Sequence, residues 1–121
     1  MANVVISKAE KYNRSLIEAS LDPLVTIGPN GIITDVNNAT ENATGLPRVK
    51  LIGTDFSEYF TEPCKARAGY QQAFKDGKVV DYELKLKHIS GYSTLVLYNA
   101  SVYKDDEGKI IGVFAAARDI T

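Results

Sequence analysis

Hydrophobic and charged positions alternate along residues 80–88, and this pattern predicts a strand with one buried face. The apolar side of the strand carries Val80, Tyr82, Leu84, Leu86 and His88. Two later segments, 94–104 and 110–118, are apolar on both faces over much of their length. We therefore predict that these two segments form central strands, covered on both sides of a sheet.

The first twenty residues predict an amphipathic helix. Ser7 and Glu10 have the spacing of a capping box, so a helix is expected to begin there and to continue to about residue 20. The apolar face of this helix is modest, and its main residues are Tyr12, Leu16 and Ile17. Because the rest of the helix is largely charged, this face is expected to pack against another surface.

A β-hairpin is predicted after the helix. Pro23 fits the entry to a strand at 24–28, whose β-branched residues favour a pleated conformation. Pro29-Asn30-Gly31 is a turn sequence, because proline fixes φ while asparagine and glycine tolerate positive φ. The chain is then expected to return as a second strand at 32–36.

The middle of the chain predicts several short helices and one longer helix. Asn37 is expected to cap a short helix that ends at Gly45, and its replacement by alanine is expected to cost roughly 0.5 to 2 kcal/mol. Two further helical turns are expected within 48–60. A longer helix is predicted over 62–76 from the spacing of its apolar residues. The whole order of elements describes an α+β domain with about five strands in one sheet.

Composition and charge indicate one domain without a strong electric field. The chain has 121 residues, of which 45% are hydrophobic, and this suits a single core. The chain has 14 Lys and Arg and 15 Asp and Glu, so its formal net charge is only -1. We therefore expect neither nucleic acid nor a membrane surface as a partner. The single cysteine, Cys64, rules out an internal disulfide framework and favours a cytoplasmic location. No apolar run near the start is long enough for a signal or spanning segment.

Several short motifs, taken in order, resemble the PAS (Per-Arnt-Sim) domain family. They are the hairpin sequence Asn30-Gly31-Ile32-Ile33-Thr34-Asp35-Val36-Asn37, the string Leu51-Ile52-Gly53, the string Gly108-Lys109-Ile110-Ile111-Gly112 and the ending Asp119-Ile120-Thr121. The resemblance implies a PAS fold, with a five-stranded antiparallel sheet, short helices on one face and an N-terminal amphipathic helix. It divides the chain into a flanking or dimerisation helix at 1–20 and a PAS domain at 21–121.

The resemblance implies a sensory module of a multidomain signalling protein, such as a sensor histidine kinase, and no enzymatic activity in this chain. Asp119, Ile120 and Thr121 match the exit motif, where the family passes into a linker toward an output domain. Two alternatives stay open. One is a protein-interaction or dimerisation domain that binds no ligand, and the other is a small enzyme that uses a histidine–carboxylate pair. No catalytic residue is assigned.

The family's ligand pocket lies between the inner face of the sheet and the helices. Strand alternation predicts a mainly apolar lining from Val25, Ile27, Val36, Phe56, Tyr70, Tyr82, Leu84, Leu86, Val96, Tyr98, Ala100, Val113, Ala115 and Ala117. His88 is added at the pocket rim, with a solvent-exposed histidine at the end of its strand as the alternative. A small, weakly polar ligand or an empty packed core would suit this lining.

Neither flavin nor haem is expected in this pocket. By alignment with flavin-binding relatives, Phe56 replaces the photoactive cysteine, and the flavin-holding amides are replaced by Leu86, Val96 and Ala117. The predicted helix at 62–76 contains no histidine for a haem iron. No metal site is expected either, because the acidic residues 105–107 lack the ligand spacing of a calcium loop.

A second apolar surface is predicted on the outer face of the sheet. Alternation assigns to it Leu24, Ile33, Leu95, Leu97 and Phe114. Together with the apolar face of the N-terminal helix, this surface is expected to form a homodimer interface, because so much contiguous apolar area is rarely left bare. In the family, a parallel two-fold dimer places the two exit motifs side by side. The output domain of the parent chain is the other expected partner.

Overall fold

The computed structural model describes residues 20–120 of the chain. The predicted N-terminal helix, with Tyr12, Leu16 and Ile17, and the last residue, Thr121, lie outside the described residues. In chain order the elements are β1 (Leu24–Ile27), β2 (Ile33–Val36), α1 (Asn38–Thr44), α2 (Arg48–Leu51), a 3-10 helix (Phe56–Tyr59), α3 (Pro63–Asp76), β3 (Lys78–Lys87), β4 (Ser93–Lys104) and β5 (Ile110–Asp119).

The five strands form one antiparallel sheet with the order β2-β1-β5-β4-β3. The predicted sheet is thus confirmed, and the two segments with apolar residues on both faces are interior strands. Strands β2 and β3 form the edges, and β3 carries alternating charged residues on its outer face. Charges on an edge strand discourage pairing with the edge of another sheet.

Local sequence signals explain where the helices begin and end. Asn37 caps α1 by accepting a hydrogen bond from the amide of Thr40, and Gly45 ends the helix in a left-handed conformation. Asp55 caps the 3-10 helix in the same way through the amide of Ser57. The longer helix α3 has proline in its first turn and ends at Gly77. The predicted cap and end of α1 and the predicted extent of the longer helix are confirmed.

Two β-bulges change the face on which predicted residues lie. Between β3 and β4 the register shifts after Val79, and Asp81 takes a positive φ of 53°. As a result Val79 is buried, while Val80, which alternation had placed in the core, is 62% exposed.

The second bulge lies in the first hairpin, where Ile27 pairs with Ile33 and Val25 pairs with Val36. The extra residue in β2 turns Ile33 toward the interior, where it is 3% exposed and belongs to the core. The assignment of Ile33 to the outer face was therefore wrong. A period-two pattern cannot locate an inserted residue by itself.

Helices α1, α2 and α3 and the 3-10 helix lie on one side of the sheet, and the core fills the space between them. Helix α3 contributes three buried residues to this core, namely Ala66, Tyr70 and Ala73. Small residues at two of these positions bring α3 close to β3. The small interior cavity lies beside this packing, between the sheet and the residues of α1, α2 and the 3-10 helix.

Candidate functional site

An aromatic cluster occupies the interior between the sheet and the helices. The ring centroid of Phe56 lies 4.9 Å from that of Phe60, 5.6 Å from that of Tyr98 and 6.4 Å from that of Tyr70. Tyr82 lies edge-on to Tyr98 at 6.4 Å. These are the tilted and edge-to-face arrangements that aromatic pairs favour. Phe60, which the sequence analysis did not select, is therefore central to this part of the molecule.

Most residues of the predicted pocket lining lie in or against one buried cluster. The buried members are Val25, Ile27, Val36, Phe56, Tyr70, Leu84, Leu86, Val96, Tyr98, Ala100, Val113 and Ala115. Tyr82 and Ala117 are partly buried and pack against the same cluster. The residues thus share one location, and whether they bind a ligand stays a prediction.

His88 lies outside this buried cluster, just beyond the end of β3. Its Nδ1 atom is 2.8 Å from the hydroxyl oxygen of Ser90 and accepts a hydrogen bond from the Ser90 amide at 3.0 Å. Its ring stacks on Tyr92 with a centroid distance of 4.5 Å. The histidine therefore packs in the turn after β3 and does not line the interior.

Tyr98 is the most unusual residue of the interior. Its side chain is fully buried, and it is the one described residue with a buried side-chain oxygen that has no hydrogen-bond partner. Burial raises the pKa of this phenol well above its usual value, so the group stays neutral. A buried hydroxyl without a partner is costly, and such groups call for a specific explanation.

The neighbouring phenol, Tyr70, is held against the first hairpin. Gly31 takes a φ of 83° in the turn before β2, and a Cβ atom there would overlap the Tyr70 ring. Only glycine fits both the turn conformation and this close approach. The hairpin turn therefore fixes one wall of the interior.

Phe56 is positioned by the cap at the start of its helix. The hydroxyl of Ser57 donates a hydrogen bond of 2.7 Å to Asp55, and this bond lowers the pKa of the Asp55 carboxyl. The Phe56 amide also donates to the carbonyl of Gly31 at 2.9 Å. These bonds hold the 3-10 helix, and with it the Phe56 ring, against the hairpin.

Little empty space remains inside the core. The interior cavity measures about 30 Å³ and lies near Val25, Leu51, Phe56, Phe60 and Leu86. This volume holds about one or two water molecules, whereas ligand pockets usually exceed about 300 Å³. The interior cavity is therefore much smaller than a typical ligand pocket.

A larger opening lies at the end of the sheet, where α1 faces β3, β4 and β5. Its volume is about 510 Å³, and it is lined by Ser20, Leu21, Asp22, Pro23, Asn38, Ala39, Asn42, Ala43, Leu86, Tyr92, Thr94, Val96, Ala117 and Asp119. We call this opening the α1 groove. Sequence reasoning selected only part of its lining. The paired Asn38/Ala39 and Asn42/Ala43 spacing in α1 was the signal that could have revealed the rest.

The outer face of the sheet carries a partly exposed apolar stripe. Leu95, Leu97 and Phe114 are half-buried, and Leu24 is buried at 9% exposure. Leu97 lies across from Glu83 on one neighbouring strand and Arg118 on the other. Asp119 ends β5, and the amide of Ile120 donates to the carbonyl of Leu95 at 3.3 Å. The exit of the described chain is therefore bonded directly to the strand that carries the stripe.

Asn37 joins three segments at one buried point. Its side-chain oxygen accepts from the amides of Leu24 at 2.9 Å and Thr40 at 3.1 Å, and its amide nitrogen donates to the carbonyl of Asp22 at 3.0 Å. The side chain is 1% exposed. Asn37 thus links α1 to the strand entry, a role wider than the cap that the sequence predicted.

Among residues 20–120, no helix is long and apolar enough to cross a membrane. Within the same range, no cluster of three or more His, Cys, Asp or Glu side chains is arranged to hold a metal ion. Cys64, at the start of α3, is exposed and forms no disulfide.

The fold and the motifs agree with known proteins. The model of the PAS domain family matches residues 21–121. A PAS domain from Colwellia psychrerythraea has a TM-score of 0.80 at 20% identity, with 93% of this chain and 98% of that chain covered. A PAS domain from a two-component sensor histidine kinase has a TM-score of 0.77 at 19% identity, with the same coverage.

A third similar structure is a light-oxygen-voltage domain studied with a flavin analogue. Its TM-score is 0.69 at 14% identity, with 83% of this chain and 78% of that chain covered. None of the curated proteins compared matches the chain significantly. These structural likenesses show a shared fold, and the family model adds a match along residues 21–121. The chain belongs to the PAS domain family, whose members are generally non-catalytic sensory modules.

Proposed function

We propose that this chain is the sensory input module of a cytoplasmic signalling protein, and that its interior binds a small, mainly apolar ligand with one hydrogen-bond acceptor. The observation that carries the proposal is the buried hydroxyl of Tyr98, which has no partner among the described residues. A ligand oxygen or nitrogen beside Tyr98 would satisfy that hydroxyl and remove its energetic cost. Similarity to a sensor histidine kinase domain supports the choice of signalling protein.

Such a ligand would also change the shape of the domain. The cavity of about 30 Å³ is lined by Phe56 but not by Tyr70 or Tyr98, and it is too small for such a ligand. A ligand beside the Tyr98 hydroxyl therefore requires the rings of Phe56, Tyr70 and Tyr98 to move apart. The ligand therefore selects an expanded conformer over the packed one. Because Tyr98 pairs with Ala117 on β5, this change reaches the strand that ends at Asp119. Neither haem nor flavin is part of this proposal.

The proposal extends to a homodimer that uses the outer apolar stripe of Leu24, Leu95, Leu97 and Phe114. Two observations support this dimer. One face of the sheet carries several half-buried apolar residues. In addition, Leu95 in this stripe accepts a backbone hydrogen bond from Ile120 in the exit segment. A two-fold dimer through this face would place two exits together, so that a distortion of β5 turns both linkers.

A second candidate is an interaction domain that binds no ligand. The close packing of the interior favours it, since the aromatic cluster already fills the space between α3 and the sheet. In that case the unpaired Tyr98 hydroxyl would be an energetic cost that the rest of the core offsets. The two candidates differ in what removal of the Tyr98 hydroxyl does to stability with and without bound small molecules.

The test compares Tyr98→Phe with Tyr82→Phe by urea unfolding. In protein refolded from denaturant, and so free of ligand, Tyr98→Phe is expected to be as stable as the wild type or more stable. Tyr82→Phe is the matched control, because its hydroxyl donates to the carbonyl of Lys65 at 2.8 Å. That variant should lose roughly 0.5 to 1.5 kcal/mol.

Protein purified without denaturation completes the comparison. The wild type is expected to melt at a higher temperature before denaturation and refolding than after it, while Tyr98→Phe should melt at the same temperature in both states. A Tyr98→Phe variant that loses stability as a refolded protein would show that the hydroxyl already has a partner. Equal melting temperatures for native and refolded wild type would support the interaction domain instead.

A further inference from the structure

The turn between β1 and β2 contains a dipeptide with chemistry of its own. Asn30-Gly31 is the one place in the chain where glycine follows asparagine, and Asn30 is exposed. An asparagine side chain places its carbonyl carbon, Cγ, where the amide nitrogen of the next residue can close a five-membered ring on it. Glycine has no Cβ atom to hinder this approach. The turn therefore contains an electrophile and an accessible nucleophile in adjacent residues.

In the folded hairpin both groups are held away from this reaction. The Gly31 amide donates to the carbonyl of Gly28 at 2.9 Å, and the Asn30 side-chain oxygen accepts from the amide of Ile32 at 3.2 Å. The Ile32 carbonyl in turn accepts from the Gly28 amide at 2.9 Å. Ring closure requires the Gly31 nitrogen to leave its bond and the Asn30 side chain to turn toward it. The turn must therefore open before the ring can close.

The glycine of the dipeptide is also held from the interior. Gly31 is buried, although it lies in a turn, and it takes a φ of 83°. A Cβ atom on it would lie 2.6 Å from the Cζ atom of Tyr70, so the Tyr70 ring lies directly against this backbone. The Gly31 carbonyl accepts from the Phe56 amide at 2.9 Å. Tyr70 and the 3-10 helix thus oppose opening of the turn.

We infer that Asn30-Gly31 is a site of spontaneous deamidation, and that the contact with Tyr70 sets its rate in the folded domain. In the first step the Gly31 nitrogen bonds to Cγ of Asn30. The Cγ–Nδ2 bond breaks, and Nδ2 leaves as ammonia with the proton of the Gly31 amide. Water then adds to one of the two ring carbonyls. Addition at Cγ gives aspartate, and addition at the Asn30 backbone carbonyl gives isoaspartate, in which the main chain runs through the former side chain.

The two products have different effects on the core. Isoaspartate adds one carbon atom to the main chain between the α-carbons of Asn30 and Gly31, so the bonds of Gly31 to Gly28 and Phe56 lose their geometry. The wall against which Tyr70 packs is then displaced. Aspartate introduces the same negative charge without lengthening the chain. The inference does not depend on an interior ligand, because the reaction takes place within the turn itself.

The experiment follows the full chain over days at neutral pH by peptide mapping with mass spectrometry. Deamidation is expected at Asn30 before Asn38 or Asn42, which are exposed but precede alanine. The folded chain should react roughly tenfold more slowly than the chain in denaturing urea, which corresponds to about 1.4 kcal/mol for opening of the turn. Urea below the unfolding transition should leave the rate nearly unchanged, because the turn opens locally.

A pair of variants tests the role of Tyr70. Tyr70→Leu removes the ring beside Gly31 and should raise the rate at Asn30 roughly three- to tenfold in the folded protein. Tyr82→Leu is the matched control, because Tyr82 packs against the same core but contacts Gly69 on α3 and not the turn. It should deamidate at the rate of the wild type under conditions where urea unfolding shows it to be folded.

A second comparison separates the lengthened backbone from the added charge. The isoaspartyl product, isolated by chromatography, should unfold at a lower urea concentration than Asn30→Asp. That variant has the same charge and an ordinary main chain. Equal unfolding midpoints would show that the turn tolerates the added atom and that the wall is not displaced.

Three results would overturn the inference. They are equal rates at Asn30 in the folded and the unfolded chain, equal acceleration by Tyr70→Leu and Tyr82→Leu, and no deamidation at Asn30 in either state. If Tyr70→Leu does not fold, the urea series of the wild type decides. A rate that rises steeply with low urea concentrations would show that global unfolding, and not opening of the turn beside Tyr70, controls the reaction.

Discussion

Replacement of Asn37 by alanine is expected to lower the free energy of unfolding by about 3 kcal/mol, more than a lost helix cap alone. The side chain accepts from the amides of Leu24 and Thr40 and donates to the carbonyl of Asp22. Alanine leaves the buried amide of Leu24 without this partner, at a cost of about 1 to 3 kcal/mol, and it also removes the side-chain cap on Thr40 and the bond to the Asp22 carbonyl. Urea unfolding of both proteins gives the difference.

The control for this prediction is Asn38→Ala. Asn38 is the adjacent residue of the same type, but it is exposed and starts the helix. Its replacement should change stability by less than about 0.5 kcal/mol, as surface substitutions usually do. Two results would show that the bonds to β1 and its entry contribute little to stability. One is a loss of unfolding free energy in Asn37→Ala no larger than that of a simple helix cap, and the other is an equal loss in both variants.

Replacement of Leu97 by glutamate is expected to weaken self-association by roughly a hundredfold, which corresponds to about 2.7 kcal/mol. Leu97 lies half-buried in the outer stripe, beside Glu83 and across from Arg118. A carboxylate at this position must be desolvated when two stripes meet, and desolvation of a poorly paired charge costs several kcal/mol. Light scattering over a concentration series measures the change.

Val80→Glu is the matched control, because Val80 is an apolar residue of the same sheet that is 62% exposed and lies at the β3 bulge. It should keep the association of the wild type. A separate variant that lacks residues 1–20 tests whether the predicted N-terminal helix belongs to the interface. If Leu97→Glu and the shortened chain both associate like the wild type, the proposed dimer and its path to the exit are wrong.

The element order followed from the sequence because its signals are local. A capping asparagine, a left-handed glycine and a turn proline act within a few residues, so Asn37, Gly45 and Pro29 could be interpreted directly. The alternation of apolar residues likewise placed Leu84 and Leu86 in the core, where the structure has them. The family motifs then implied a single five-stranded antiparallel sheet, but the order of its strands was seen only in the structure.

The errors lie where a contact depends on distant residues. One bulge inserts a residue into β3 after Val79, and the other inserts a residue into β2 opposite Ile27. Val80 and Ile33 therefore each lie on the face opposite to the one that alternation predicted. The α1 groove was missed for a related reason. Its walls come from α1 and three strand ends that are far apart in the sequence, and the space between them depends on how closely α1 packs.

The unpaired hydroxyl of Tyr98 could not be foreseen either. Alternation places the residue inside the core, but only the packing of Phe56, Tyr70 and Tyr82 around it decides whether the oxygen finds a partner. The answer depends on atomic distances to within fractions of an ångström, and a pattern of apolar and polar residues does not determine such distances. Tyrosine in a predicted core strand is nevertheless a useful warning, because its hydroxyl needs a partner.

Mass spectrometry of the purified chain, under native and then denaturing conditions, tests the sensory proposal most directly. We predict a dimer whose native mass exceeds that of two polypeptides by a small molecule, with the excess lost on denaturation and absent from Tyr98→Phe. A bare dimer would support the interaction domain without a ligand. A bare monomer under native conditions would contradict both the interior ligand and the dimer.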